Sequence, residues 1–253
     1  MINKIFLSFF ILLMLGFFVS ISAETFGQNV EFQTKDGVII RANFKKPQNN
    51  KTTFILLHGL GSSKNEWQSF ATKLQKHGYG FFAYDARGHG ASNFYANKTI
   101  IDYRAFSYGG DGSQWSKMPS DLASAVDYLK TNLSIKPSKV GIIGASLGAN
   151  VALTFAANNK IIQQLVLLSP GLNYAEVKTE ESIEAFSKRP IFIAASPGDT
   201  YAYNSSQILY SKVKQNKNAV FQNGSANLHG VAMFNENFDH QLLAWIEKHS
   251  QNK

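Results

Sequence analysis

The chain has 253 residues, 25 Lys and Arg against 17 Asp and Glu, a formal net charge of +8 and no cysteine. This length suits one large domain, or two at most, and the missing cysteines exclude disulfides, thiolate metal sites and cysteine nucleophiles. The basic residues are spread along the chain without a dense run. Such a surface suits acidic envelope polymers or anionic headgroups only weakly, and nothing points to nucleic acid.

Residues 1–23 stand apart. Lys4 gives a short positive start, residues 5–19 are almost wholly apolar, and Ser20-Ile-Ser-Ala23 ends in small residues before Glu24. This order is expected of a secretory signal peptide, which would leave residues 24–253 as a single exported domain, periplasmic or secreted. The apolar run is also long enough to be kept as an N-terminal membrane anchor.

Residues 30–37 and 38–44 read as two strands joined at Asp36-Gly37, a strong hairpin signal. Residues 53–57 form a buried strand that runs into His58-Gly-Leu-Gly-Ser-Ser63. Residues 65–77 carry Trp67, Phe70 and Leu74 at helical spacing and stop at Gly78. A strand over 79–84 leads into Asp85-Ala-Arg-Gly-His-Gly-Ala-Ser92, and residues 93–117 mix glycines, aromatics and polar residues without a period. An amphipathic helix over 119–129 precedes a strand and helix around residues 139–157. Then come a strand over 162–168, a short charged link over 172–188, a strand over 189–195 and a helix over 205–214. A last strand over 219–222 and a terminal helix over 237–249 complete the chain. A hairpin followed by repeated strand–helix units predicts a largely parallel sheet with helices on both faces. Ligands of such sheets bind beyond the carboxyl ends of the strands. The polar, glycine-bearing segments 58–63, 85–92, 144–148, 196–199 and 223–230 all fall at those ends.

Gly144-Ala-Ser-Leu-Gly148 lies between a β-branched run (Val140, Ile142, Ile143) and a helix of small apolar residues. It has the form of the G-x-S-x-G nucleophile elbow, with Ser146 at the apex. A serine that stands clear of the sheet edge needs a strained backbone, and its neighbours two positions away collide unless they lack side chains. The helix that follows points its N-terminal N–H groups at any oxyanion formed there. A glycine-flanked turn can also be only a turn. A nucleotide loop is disfavoured, because neither G-x-G-x-x-G nor Walker spacing is present.

Over residues 30–250 the chain resembles the α/β-hydrolase superfamily. The resemblance rests on His58-Gly-Leu-Gly61, Asp85-x-Arg-Gly-His-Gly-x-Ser92, Gly144-x-Ser-x-Gly148, Asp199 and His229-Gly230, each at an expected strand end and in family order. It is nearer to small dienelactone-hydrolase-like esterases and carboxylesterases. Many of those use a cysteine nucleophile where this chain has serine, so their substrate does not carry over. The resemblance implies an α/β-hydrolase fold: a mostly parallel central sheet of about eight strands, an N-terminal β-hairpin, helices on both faces and no large cap domain. It implies Ser146 as nucleophile and, from the order nucleophile, acid, histidine, Asp199 as acid and His229 as base. A turn or N-cap role is the plain alternative for Asp199. His240 and His249 read as surface residues of the terminal helix and tail. Backbone N–H groups of Leu147 and Leu60 are the expected oxyanion donors, the second from the family pattern. His58 is expected to shape its loop rather than act as a second base, and Asp85, Arg87 and His89 to form a hydrogen-bonded scaffold.

The implied reaction is cleavage of a small-molecule carboxylic ester through an acyl-enzyme, with no metal or organic cofactor. Asp111 in Gly109-Gly-Asp-Gly112 lacks the carboxylate run of a calcium loop. Residues 172–188 are too few for a lid, so the site is expected to be open, partly roofed by 93–117, and to prefer short or medium acyl chains. His58, Tyr108 and Trp115 are candidate substrate contacts, although the aromatics of 93–117 equally suit packing of that loop. Membrane association is expected to be transient or absent. The same triad would serve thioesters, lactones or peptide bonds, and a non-catalytic envelope binding protein of this fold is the alternative from another class.

Overall fold

The computed structural model describes residues 26–250 apart from Ser187; the expected leader at 1–23 lies outside the described residues. The strands are β1 (Gln28–Gln33), β2 (Val38–Lys45), β3 (Thr53–Leu57), β4 (Gly80–Tyr84), β5 (Phe94–Tyr95), β6 (Val140–Ala145), β7 (Leu165–Leu168), β8 (Asn173–Tyr174), β9 (Val177–Lys178), β10 (Ile191–Ala195) and β11 (Ala219–Asn223). The helices are α1 (Gln68–Lys76), α2 (Met118–Thr131), α3 (Leu147–Asn158), α4 (Ser182–Ala185), α5 (Thr200–Val213) and α6 (Glu236–Ser250).

Nine strands make one sheet in the order β1-β2-β4-β3-β6-β7-β10-β11, with β5 added onto β2. The β1–β2 hairpin turns at Gly37, whose φ of +91° suits glycine. It joins the sheet antiparallel through β2 and β4. From β4 to β11 every neighbouring pair is parallel. Strands covered on both faces need apolar residues at successive positions, and β3, β4, β6, β7 and β10 are buried throughout.

The two-residue period divides the core. Phe54, Leu56, Phe81, Ile143, Val166 and Phe192 face α1 and α6, where Phe70, Leu74, Phe238, Leu242 and Ile246 meet them together with Trp67 just before α1. Ile55, Leu57, Phe82, Ile142, Leu165 and Ile193 face the opposite layer, where Leu122, Leu129, Val151, Leu153 and Leu209 of α2, α3 and α5 cover them. Each such side chain contributes about 1.5–3 kcal/mol on burial.

The order β4-β3-β6 contains the reversal that positions the site. The chain leaves β3 towards α1 on one face and leaves β6 into α3 on the other. The loops after β3 and β6 therefore flank one crevice, the usual place for a ligand in an open α/β sheet.

Five expectations need correcting. The 65–77 helix opens as a 3-10 turn over Lys64–Trp67, capped by Ser63. The 162–168 strand begins only at Leu165, because Gln164 turns its side chain to the Ile246 carbonyl and Ser250 of α6. The 205–214 helix starts earlier, at Thr200. The 172–188 link is structured: β8 and β9 pair as a hairpin, and Ile183 and Phe186 are buried. His249 also differs from its expected surface position, being buried with its ring on Trp245 and its Nδ1 at 2.8 Å from the Trp245 carbonyl.

Candidate active site

Ser146 is the residue between β6 and α3, with φ 54° and ψ −121°. That conformation is costly for a residue with a side chain and persists only when its surroundings enforce it. Here the Ser146 N–H donates to the Leu168 carbonyl at 2.8 Å, while the Ser146 carbonyl accepts from Ala149 and Asn150 in the first turn of α3. A Cβ on Gly144 would lie 2.3 Å from the Gly148 carbonyl oxygen, and one on Gly148 would lie 2.3 Å from that of Leu57. Both contacts are with backbone, so the glycines are what lets helix, strand and β3 loop meet at the serine.

Asp199 and His229 come from the loops after β10 and β11. The Asp199 N–H donates to the Ser196 carbonyl at 2.9 Å, closing the Ser-Pro-Gly turn, and the Gly198 N–H donates to Ala226 at 2.9 Å, joining the two loops. Gly230 donates its N–H to Ser169 Oγ at 2.9 Å, and its α-carbon sits so close to Ala145 that an added Cβ would be 3.3 Å from the alanine methyl. His229 is thereby held beside the elbow. Its Nδ1 lies 2.6 Å from Asp199 Oδ2. A carboxylate at Nδ1 holds the proton there and leaves the Nε2 lone pair free as a base. Among the described residues no hydrogen bond closes between Ser146 Oγ and His229. In sites without substrate this link is often long and tightens on binding.

The loop after β3 passes directly over the serine: a Cβ on Gly59 would be 3.3 Å from Ser146 Cβ. Among the described residues the Leu60 and Leu147 N–H groups donate to no protein acceptor, so both are available at the mouth. The Gly59 N–H is instead taken by Glu66 Oε1 at 3.2 Å. Burial raises the Glu66 pKa, which Ser62, Gly59 and the neighbouring His229 partly counter.

His58 has both nitrogens occupied. Nε2 accepts from the Ala86 N–H at 2.9 Å, so Nδ1 carries the proton and donates to the Gly59 carbonyl at 2.7 Å. Burial lowers its pKa to about 4. It braces the loop, and its polar atoms are closed to a substrate. Asp85 accepts from the Lys64 N–H and Nζ, each at 2.7 Å, and from Ala91 at 2.9 Å. Arg87 forks onto Asp121 at 2.6 and 2.5 Å and onto Asp36 at 2.9 and 3.0 Å, and reaches Gln114 at 2.6 Å. His89 stacks on Tyr103 at 4.0 Å between ring centroids, its pKa lowered by burial. These residues form a scaffold below the mouth.

The two aromatic candidates part company. Trp115 is buried, packed on Phe106 at 4.8 Å, and faces protein rather than an open pocket. Tyr108 stacks on it at 6.2 Å and is 68% exposed. The polar residues that sequence reasoning missed are Tyr174, Asn150, Glu66 and Ser169. Asn150 carried a signal: it is a polar residue in the apolar first half of α3, one turn beyond Ser146. Tyr174 carried none, since its short hairpin has no period to read.

Comparison with known proteins gives the wider setting. The YfhR protein of Salmonella typhi is 22% identical over 230 residues, covering 77% of this chain and 72% of its own length. The sn-1-specific diacylglycerol lipase ABHD11 of Danio rerio is 29% identical over 143 residues, 55% of this chain and 38% of that one. Among solved structures, the Pyrococcus furiosus esterase Pf2001 superposes with a TM-score of 0.69 at 23% identity, covering 88% of this chain and 92% of that one. Est1E of Butyrivibrio proteoclasticus, solved with ferulic acid, gives 0.65 at 18% identity over 87% and 97%. These likenesses establish the α/β-hydrolase fold. The family model described as serine aminopeptidase, S33, matches residues 48–221. The chain belongs to that family and is a hydrolase of the α/β-hydrolase type.

Proposed function

We propose that this protein is an exported serine hydrolase that cleaves carboxylic esters with short or medium acyl chains. Ser146 attacks the acyl carbonyl while His229 takes its proton, and Asp199 holds the imidazole and offsets its charge. The Leu147 and Leu60 N–H groups receive the oxyanion. The alcohol leaves, and water activated by His229 then releases the acid from Ser146.

The observation that carries this reading is the 2.6 Å Asp199–His229 pair, held beside a serine at φ 54°. The short-chain preference draws on the space beside the oxyanion loop, lined by Gly59, His89, Met118, Leu147 and Val151. That space is tight, with room for a water or a methyl group rather than a long chain. The test is a series of p-nitrophenyl esters from acetate to palmitate. The expected optimum lies at acetate to hexanoate, and an optimum at palmitate would defeat the preference. Export rests on residues 1–23 and is tested by the N-terminus of the purified envelope fraction, expected at Glu24.

A second reading, removal of N-terminal amino acids from peptides, draws on the family's description and on Glu66, a carboxyl group that accepts from the N–H of Gly59 beside Ser146. Aminoacyl anilides turned over faster than acetyl esters would favour it.

A further inference from the structure

The β8–β9 hairpin is built more firmly than a two-residue strand pair in a connection requires. Its turn residues Ala175 and Glu176 have φ of 46° and 66°, the left-handed pair of a type I′ turn. Neither is the glycine or asparagine such turns favour, so other contacts must hold the conformation. Asn150, fully buried on α3, accepts from the Gly171 N–H at 3.0 Å and donates to the Val177 carbonyl at 2.7 Å, gripping both ends of the hairpin. Thr179 donates to the Gly171 carbonyl at 2.7 Å. The Tyr201 hydroxyl, two residues after Asp199, both accepts from and donates to the Asn173 backbone at 3.0 Å. Glu176 accepts from the Gly109 and Gly110 N–H groups at 2.9 Å each.

What this framework holds in place is Tyr174. Its ring stands edge-on to His229 at 6.3 Å and 86°, and packs on Tyr201 at 5.4 Å. Gly171 has no side chain where a Cβ would lie 2.7 Å from the Tyr174 ring. The Tyr174 hydroxyl closes no hydrogen bond among the described residues, and Ser146 is near enough to influence its ionisation. Tyr174 thus lies on the His229 side of the serine, while the Leu147 N–H is on the helix side. In ester cleavage the oxyanion forms against the backbone N–H groups, and the leaving oxygen departs towards the histidine that protonates it.

We propose that Tyr174 is a catalytic residue whose hydroxyl donates a hydrogen bond to the leaving-group oxygen as the acyl–oxygen bond breaks. The assignment rests on the serine-hydrolase reading above. In acylation the Ser146 Oγ–carbon bond forms and its proton passes to His229 Nε2. The carbon–oxygen bond then breaks, its electron pair stays on the leaving oxygen, and His229 returns the proton to that oxygen. Tyr174 steadies the charge that develops there and keeps its own proton. Burial pushes the phenol above its usual range, and Asp199 and Tyr201 add to the effect, so it remains a donor wherever His229 is a base.

A donor at the leaving oxygen matters more as the leaving group becomes more basic. The test measures kcat/KM for p-nitrophenyl, phenyl and ethyl acetates with the parent and Tyr174→Phe. The expected loss is about 10- to 100-fold on ethyl acetate and below about threefold on p-nitrophenyl acetate. Equal losses on all three overturn the assignment, because the hydroxyl would then act before the carbon–oxygen bond breaks; a skewed loss that comes with a displaced pH–rate profile overturns it too, as the mark of a misplaced His229. Tyr201→Phe, which unlocks the Asn173 backbone, provides the same comparison should Tyr174→Phe not fold: a loss skewed towards ethyl acetate supports the assignment and an even loss overturns it. A folded parent inactive on all three esters overturns the ester-cleaving reading and this assignment with it. A parent active on all three with even losses overturns this assignment alone.

Discussion

Asp199 and His229 share one hydrogen bond at 2.6 Å, and the protonation logic of the site follows from it. Asp199→Asn keeps the shape but offers the wrong hydrogen-bonding partner, so the imidazole is free to take the unproductive tautomer. The expected result is a fall in kcat of roughly three to four orders of magnitude with KM little changed; steady-state kinetics on an acetyl ester checks it. His58 makes the opposite case, a histidine kept neutral for structure. Its pKa falls from 6.5 in the ordinary state to about 4 in the fold. A lowered folded pKa means its contribution is complete above pH 6.5 and is lost as the pH drops towards 4, where both states are protonated. The loss is at most about 3 kcal/mol. Urea midpoints measured between pH 7 and pH 4 should fall over this window, and His58→Gln should flatten the fall.

The glycines of the elbow and the hairpin beside it act as elements. Gly148→Ala would set a methyl 2.3 Å from the Leu57 carbonyl and 2.6 Å from that of His58. Neither acceptor is a flexible side-chain end, so β3, β6 and α3 would have to separate. The expected outcome is loss of soluble folded protein, read by yield and thermal melting. Glu176 fastens the hairpin to the 107–113 stretch through two backbone N–H groups. The Gly110 N–H, with Ser113 and the Gly109 N–H, lowers its pKa. A lowered carboxyl pKa means the fastening is complete above about pH 4.5 and weakens as the pH falls below it. Glu176→Ala should speed amide exchange at Gly109 and Gly110 while α3 stays protected. Unchanged exchange there would show that the two segments hold without it.

Across the whole molecule, buried charge joins loops that are distant in sequence. Arg87 is 1% exposed and ties the β1–β2 turn, the loop after β4, Gln114 and α2 together through Asp36 and Asp121. Asp121→Ala leaves the guanidinium in the core with half its carboxylate partners, at an expected cost of about 3–5 kcal/mol by urea unfolding. This network also marks where reading from sequence succeeds. Asp85, Arg87 and His89 were legible as scaffold through the family resemblance of their loop, and the parallel core was legible because β3, β4, β6 and β10 are runs of apolar residues. Ser146, Asp199 and His229 were legible as candidates from their order at strand ends. The β8–β9 hairpin was not, because two residues per strand leave no period and its turn uses alanine and glutamate. Trp115 was open to two readings, substrate contact or loop packing, since an aromatic in an irregular loop shows its partners only after Phe106 folds onto it. Tyr174 owes its place to long-range contacts and had no local signature.

The measurement that bears most directly on the central claim is labelling with a fluorophosphonate, which reports a serine activated by its base. The purified chain, Ser146→Ala and His229→Ala would be compared under one condition. The account predicts rapid stoichiometric labelling of the parent, none in Ser146→Ala and a loss of at least about a hundredfold in rate for His229→Ala. A folded parent that takes no label, or a Ser146→Ala variant labelled as readily as the parent, would contradict it.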